Sequence, residues 1–263
     1  MIRKTKKPLI IGNWKQNPVT LDKAKSLLLE LRKRLRSKRN LSCEIGFAPP
    51  LTFLSDLNKL APTGRFRFYA QHVSPYDKGA HTGEVSASMV ASVGASGVIV
   101  GHSERRADGL DDEEVSSILS RVLALKLEAV LCVGEKKRDA SGHFYDIVEE
   151  QLNRAFSGVS SAKASGVVIA YEPVWAIGSG TTATAEDVLE MKLFIKKIMI
   201  GLFGRNVAEK VRVLYGGSVD HRNASSILLP DSVDGFLVGG ASLKPDSFLE
   251  IVDSLDKHVK YVQ

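Results

Sequence analysis

A carboxylate at the mouth of a buried strand, followed at once by a proline-to-glycine loop, is the feature of this chain best suited to proton transfer. Gly166-Val-Val-Ile-Ala170 has the length and apolar content of a buried strand, so Glu172 sits where that strand opens to solvent. Pro173 removes a backbone donor and biases Glu172 towards an extended conformation, while Gly178 and Gly180 permit unusual dihedrals in the segment that follows. This is a candidate general base with a lid attached. In general a neutral imidazole, such as that of His102, can donate a hydrogen bond and take a proton back, and a lysine at a strand end among apolar neighbours, such as Lys15, can hold an anion. Taken singly, each has a plainer reading. Glu172 alone would be a structural carboxylate capping a strand, His102 a packed or surface histidine, and Lys15 a solvated lysine.

The neighbouring residues change that balance. Gly12-Asn-Trp-Lys15, Val100-Gly-His-Ser-Glu-Arg-Arg106, Tyr171-Glu-Pro-Val-Trp-Ala-Ile-Gly178, Tyr215-Gly-Gly-Ser-Val219 and Gly239-Gly-Ala-Ser-Leu243 follow one another along the chain. In wording and order they resemble the triosephosphate isomerase family, from about Pro8 to the C-terminal helix. The resemblance implies a homodimeric isomerase of triose phosphates that uses neither cofactor nor metal. It assigns catalysis to Glu172, His102 and Lys15, the family being the standard worked case of a glutamate base paired with a neutral histidine. Asn13, Lys15, Gly178, Ser218, Gly239 and Gly240 are implied to hold the substrate, through backbone N–H groups in glycine turns at its phosphate. Glu104 is implied to fix Lys15 or a neighbouring side chain, and Cys132 to pack near the base. The lid would run from about Pro173 to Ala183, with Val174, Trp175, Ala176 and Ile177 as its rigid centre and Tyr215 and Ser218 holding it closed. A dimer loop, Gly79-Ala-His-Thr-Gly83, would carry His81 and Thr82 to the partner's loop after the first strand.

The chain departs from the family's usual residues at four places. Thr181 stands in the lid where many relatives have lysine, which touches lid motion and leaves the reacting groups alone. Gln16, His72 and His81 stand where Met, Asn and an aromatic are frequent, all in the two loops implied to meet across the dimer. A catalytically silent phosphate-binding barrel is the rival reading. Loss of Lys15, His102 or Glu172 would have favoured it, and all three are present.

The elements that must position these residues are legible as a repeating pattern. Short apolar runs at Leu9 to Gly12, Glu44 to Ala48, Phe66 to Gln71, Gly97 to Gly101, Ala129 to Val133, Gly166 to Tyr171, Arg212 to Tyr215 and Gly235 to Val238 alternate with amphipathic stretches. Predicted helices include Leu21 to Leu35, Asp112 to Leu127, Tyr145 to Phe156, Ala185 to Ile200 and Ser247 to His258. Continuous rather than alternating apolar strands indicate a sheet covered on both faces. Eight such units in 263 residues predict an α/β, single-domain (β/α)8 barrel over residues 1–263, with residues 1–7 as a short basic tail. An open doubly wound sheet lacks support, because no Gly-x-Gly-x-x-Gly turn follows the first strand. In a barrel of this kind every motif named above falls at the C-terminal ends of strands, so residues far apart in sequence converge on one mouth.

Charge and cysteine content narrow the partners. The net charge of +6 arises at one end, since residues 1–40 carry 13 Lys/Arg against 2 Asp/Glu. The run Arg32-Lys-Arg-Leu-Arg-Ser-Lys-Arg39 lies on a helix with an apolar stripe and has no interleaved aromatics, so it reads as a solvated face and not as a nucleic-acid patch. Cys43 and Cys132 lie in predicted buried strands without metal-ligand spacing, as expected for a reducing compartment. No apolar run is long enough to span a bilayer. The expected location is the cytoplasm, with no membrane or nucleic-acid partner.

Overall fold

The computed structural model describes residues 6–36, 38, 40–61, 65–178 and 182–262. Arg3, Lys4, Arg39, Gly180 and Thr181 lie outside the described residues.

Eight parallel strands close into a barrel in chain order: β1 (Leu9–Asn13), β2 (Glu44–Ala48), β3 (Arg67–Ala70), β4 (Gly97–Val100), β5 (Glu128–Val133), β6 (Val167–Tyr171), β7 (Arg212–Tyr215) and β8 (Gly235–Val238). β1 makes the closure, pairing Leu9 with Glu44 of β2 on one side and with Gly235 of β8 on the other. Successive side chains then separate into two cores. Leu9 and Ile11 join Tyr69, Ile99, Val130 and Cys132 inside the barrel, whereas Ile10 belongs to the layer between barrel and helices with Trp14, Phe47 and Phe248. Burial on both faces is what made the strands read as unbroken apolar runs.

Local chemistry sets the helix bounds, and several differ from the sequence expectation. Leu21–Leu35 forms as predicted, started by Thr20, whose hydroxyl accepts from the Lys23 amide. The helix Asp112–Ala124 opens on a capping box between Asp111 and Glu114 but stops short of Leu127, because Lys126 turns left-handed at φ 59°. Upstream, Asp139 accepts from the His143 amide and lets the next helix begin at His143 instead of Tyr145. The helix from Ala185 runs through Ile200 to Phe203, ending where Gly204 breaks it. The last helix starts at Pro245, the residue type best tolerated in a first turn, and extends to Val262. Gln71 leaves β3 altogether, and Cys43 is buried immediately before β2.

At the N-terminal end of the barrel the strand starts carry charge, and they are paired. Arg212 donates to Glu128 Oε1 at 2.9 Å and Glu44 Oε2 at 3.1 Å, and Arg67 reaches Glu128 Oε2 at 3.0 Å. Tyr69 donates its hydroxyl to the same Glu128 oxygen at 2.7 Å. This network closes the end opposite the motif residues. Among the described residues no helix is long and apolar enough to cross a membrane.

Candidate active site

Glu172 follows β6 directly, and its backbone continues the sheet by donating to the Val133 carbonyl at 2.8 Å. Its side chain is buried at 2% exposure. Two glycines make the room: a Cβ on Gly134 would fall 1.8 Å from the Glu172 carbonyl oxygen, and one on Gly216 would fall 2.9 Å from Glu172 Cγ. Oε2 accepts from the Ser103 amide at 2.9 Å. Oε1 lies 3.3 Å from His102 Nε2 and takes no hydrogen bond of good geometry. Beneath the carboxylate, burial first and then the negative charge of Glu172 push the Cys132 thiol well up, so it stays protonated and packs as a neutral group.

His102 follows β4 and precedes the short helix Ser103–Ala107. Its Nδ1 accepts from the Glu104 amide at 3.2 Å. A ring nitrogen that accepts cannot carry the proton, so the neutral ring holds its N–H at Nε2, the nitrogen that faces Glu172.

Lys15 follows β1 in a left-handed conformation, φ 51°, that a non-glycine residue holds only when its surroundings enforce it. They do so here from two sides. The Asn13 side-chain oxygen accepts from the Lys15 amide at 3.1 Å, and Gln71 donates to the Lys15 carbonyl at 2.8 Å. Gln71 also donates to the Ala48 carbonyl at 2.8 Å, which ties the loop to β2. The ammonium meets Glu104 Oε1 at 2.5 Å.

Asn13, Lys15, His102 and Glu172 line one cleft of ≈ 720 Å³ at the C-terminal end of the barrel. Gly178, Ser218, Gly239 and Gly240 also line it. A Cβ on Gly239 would lie 3.6 Å from Lys15 Cε, and one on Gly240 would meet nothing, so bare backbone faces the cleft next to the ammonium. The structure thus brings Asn13, Lys15, His102, Glu172, Gly178, Ser218, Gly239 and Gly240 to one place. Among the described residues no group of three or more His, Cys, Asp or Glu is placed to hold a metal ion.

Comparison with known proteins is decisive on ancestry. Residues 8–255 match the profile of the family described as Triosephosphate isomerase. The chain belongs to the triosephosphate isomerase family. It is similar to the Triosephosphate isomerase of Fusobacterium nucleatum, 39% identical across 93% of this chain and 97% of the relative. Those of Endomicrobium trichonymphae and Porphyromonas gingivalis are each 40% identical, over 94% and 95% of this chain and 98% and 99% of theirs.

The segment expected to be the family's lid is described up to Gly178 and again from Thr182. Val174–Ala176 forms a 3-10 turn with Pro173 before it and Ile177 after it. Glu135, fully buried, anchors this turn: its Oε1 accepts from the Trp175 indole and from the Tyr171 hydroxyl, both at 2.8 Å, and its carbonyl accepts from the Val174 amide. Arg138 lies against it, bridging Tyr171, Asp187 and Glu190. The Tyr215 hydroxyl, expected to hold the lid, is buried beside the Ala183 amide at the end of that segment. Burial pushes that phenol up to about 12, with the Ala183 amide acting against the shift.

Sequence reasoning did not single out Gln71, Gly134, Glu135 or Arg138. Glu135 alone left a trace, as a carboxylate just past an apolar strand at Val133-Gly134, the same placement that drew attention to Glu172. In the expected dimer loop, the His81 ring stacks on Tyr76 with centroids 3.8 Å apart and planes at 4°, and Thr82 is exposed. His72 is half-buried at the base of that loop. Burial lowers its pKa, Arg105 lowers it further and Glu84 opposes them.

Proposed function

We propose that the chain interconverts dihydroxyacetone phosphate and D-glyceraldehyde 3-phosphate through an enediolate, the step of glycolysis and gluconeogenesis for which its family is named. The observation that carries the reading is the convergence of Glu172, His102 and Lys15 on one cleft. Glu172 removes a proton from the carbon beside the carbonyl. The C–H pair becomes the carbon–carbon double bond, the carbonyl pair moves to oxygen, and the carboxyl group returns the proton to the neighbouring carbon. His102 donates from Nε2 to the oxygen that gains charge and carries a proton between the two oxygens. Lys15, oriented by Asn13 and Glu104, offsets the charge of the enediolate. Backbone amides at Gly178, Ser218, Gly239 and Gly240 grip the phosphate. Lid closure over Pro173 to Ala183 excludes water and protects the intermediate.

A homodimer through the loops after β1 and β3 extends this reading, with His81 and Thr82 reaching the partner. A cytoplasmic location fits two cysteines that are both free and buried. A coupled assay with each triose phosphate in turn tests the activity. Absence of turnover in both directions would overturn it.

A further inference from the structure

The cleft is larger than its proposed substrate. A volume of ≈ 720 Å³ lies in the range that holds a drug-sized ligand, whereas a triose phosphate has only about ten non-hydrogen atoms. Besides the groups assigned to the substrate, the cleft is lined by the loop after β7 and the start of the last helix. Lys244, His221, Arg222, Asp220 and Ser247 line it there.

The charges in this annex are unevenly committed. Arg222 is spent on Asp220, which accepts from its Nε at 2.9 Å, its Nη2 at 2.6 Å and its backbone amide at 2.8 Å. That pairing holds the Asp220 carboxyl below the usual carboxylate range and neutralises the one acid in the annex. Lys244 has no carboxylate partner among the described residues and is exposed. His221 Nδ1 lies 3.1 Å from Ser247 Oγ, and Ser247 is buried at 7% exposure. In the tautomer in which Ser247 donates to Nδ1, Nε2 carries the proton and is a free donor, with its ring held by a buried anchor. One free cation and one anchored donor, sharing one cleft with a phosphate cradle, match a second phosphoryl group joined to the first.

We infer that this annex, built from Lys244, His221 and Ser247, is a subsite for the outer phosphoryl group of a diphosphate whose inner group occupies the cradle at Gly178, Ser218, Gly239 and Gly240. Diphosphates are therefore competitive ligands of the cleft. The inference rests on the proposed placement of the substrate phosphate in that cradle.

Competition against triose phosphate at constant ionic strength, with inorganic phosphate and inorganic pyrophosphate as ligands, reads it directly. In the wild type pyrophosphate should bind about tenfold or more tighter than phosphate, the gain expected of one or two charge-assisted hydrogen bonds. Lys244→Ala and His221→Ala should each remove most of that advantage while leaving kcat, KM and the phosphate inhibition constant near wild type. Lys33→Ala, far from the cleft on the first helix, controls for the general field and should keep the advantage. A nucleoside diphosphate as a third ligand separates the two sources of the group: competition equal to that of pyrophosphate assigns the subsite to diphosphate esters, and competition no better than phosphate assigns it to inorganic diphosphate. Equal affinities for phosphate and pyrophosphate in the wild type, or an advantage that survives in both annex variants, overturns the subsite. Absence of wild-type turnover is a different result and overturns the proposed activity instead. Calorimetric titration with pyrophosphate decides the subsite in that event, because it needs no turnover.

Discussion

His102 Nε2 stands 3.3 Å from one oxygen of Glu172 while the Ser103 amide holds the other at 2.9 Å. The two residues come from the ends of β4 and β6, separated by β5, yet they meet because both strands open onto the same mouth. One carboxylate oxygen is satisfied and the other is buried without a hydrogen bond of good geometry. A buried acceptor left in that state is expensive for the fold and useful for chemistry, since it leaves one carboxylate oxygen uncommitted to any other donor.

Glu172→Gln keeps the shape of that contact and removes the base. Turnover should fall by at least ~10²–10⁴-fold, about 3–5 kcal/mol of barrier, while a phosphate-bearing substrate analogue still binds. Steady-state rates and a binding titration check both halves. Turnover within a few-fold of wild type would exclude Glu172 as the base.

Glyceraldehyde, which lacks the phosphate, should be isomerised far more slowly even at saturation. Binding energy from the remote phosphate drives closure of the lid and positions the reacting carbon, so its loss appears in kcat as well as KM. Equal saturating rates for the two substrates would sink the gripping role of Gly178, Ser218, Gly239 and Gly240.

Gly216→Ala places a methyl group 2.9 Å from Glu172 Cγ and 3.3 Å from the Tyr171 carbonyl oxygen, so the hard clash falls on the base and only a tight contact falls on β6. Misplacement by about 1 Å costs on the order of 10²-fold in rate, so kcat should drop while analogue binding and melting temperature hold. Gly134→Ala is the contrasting variant. Its methyl would meet the Glu172 carbonyl oxygen at 1.8 Å, a backbone atom in a paired strand, so stability should fall together with rate. If both variants behave alike, the two glycines do not play separate parts.

Arg212 offers a change remote from the chemistry. Its side chain is 5% exposed and joins two carboxylates at the closed end of the barrel. Arg212→Ala leaves the two carboxylates with Arg67 alone, and since Glu44 is also partly open to water the change should cost about 1–3 kcal/mol of stability, with the folded fraction retaining wild-type KM. Denaturant unfolding monitored alongside activity distinguishes this from damage to the site.

How much was legible in advance follows from where each signal resides. Strand positions and the placement of Lys15, His102 and Glu172 at strand ends were readable because burial on both faces of a parallel sheet leaves a local mark, the unbroken apolar run. Gln71 and Glu135 left little mark, since each acts by reaching another element: Gln71 clamps Lys15 across 56 positions of sequence, and Glu135 receives Trp175 across 40. The early end of the helix at Ala124 turns on one left-handed residue, Lys126, whose type gives no warning. Gly134 is needed for a backbone contact with Glu172 that exists only once β5 and β6 are paired.

His72 makes stability depend on pH, with a sign fixed by its surroundings. Burial lowers its pKa from the ordinary 6.5, Arg105 adds to that and Glu84 opposes it, so the folded chain prefers the neutral ring. Below about pH 6.5 the unfolded chain therefore binds more protons than the folded one. The contribution of His72 is fully present above that value and is lost progressively as pH falls through it towards the lowered folded-state pKa. Other groups also titrate between pH 7.5 and 5.5, so the comparison must be between variants. Denaturant unfolding of wild type and His72→Asn at those two pH values isolates the effect: asparagine keeps a polar group of similar size at the loop base and cannot acquire the charge. The wild type should lose more stability on acidification than the variant. An equal loss in both would mean that the ring is reached by water freely enough to charge without cost, and that the loop after β3 is not acid-sensitive through His72.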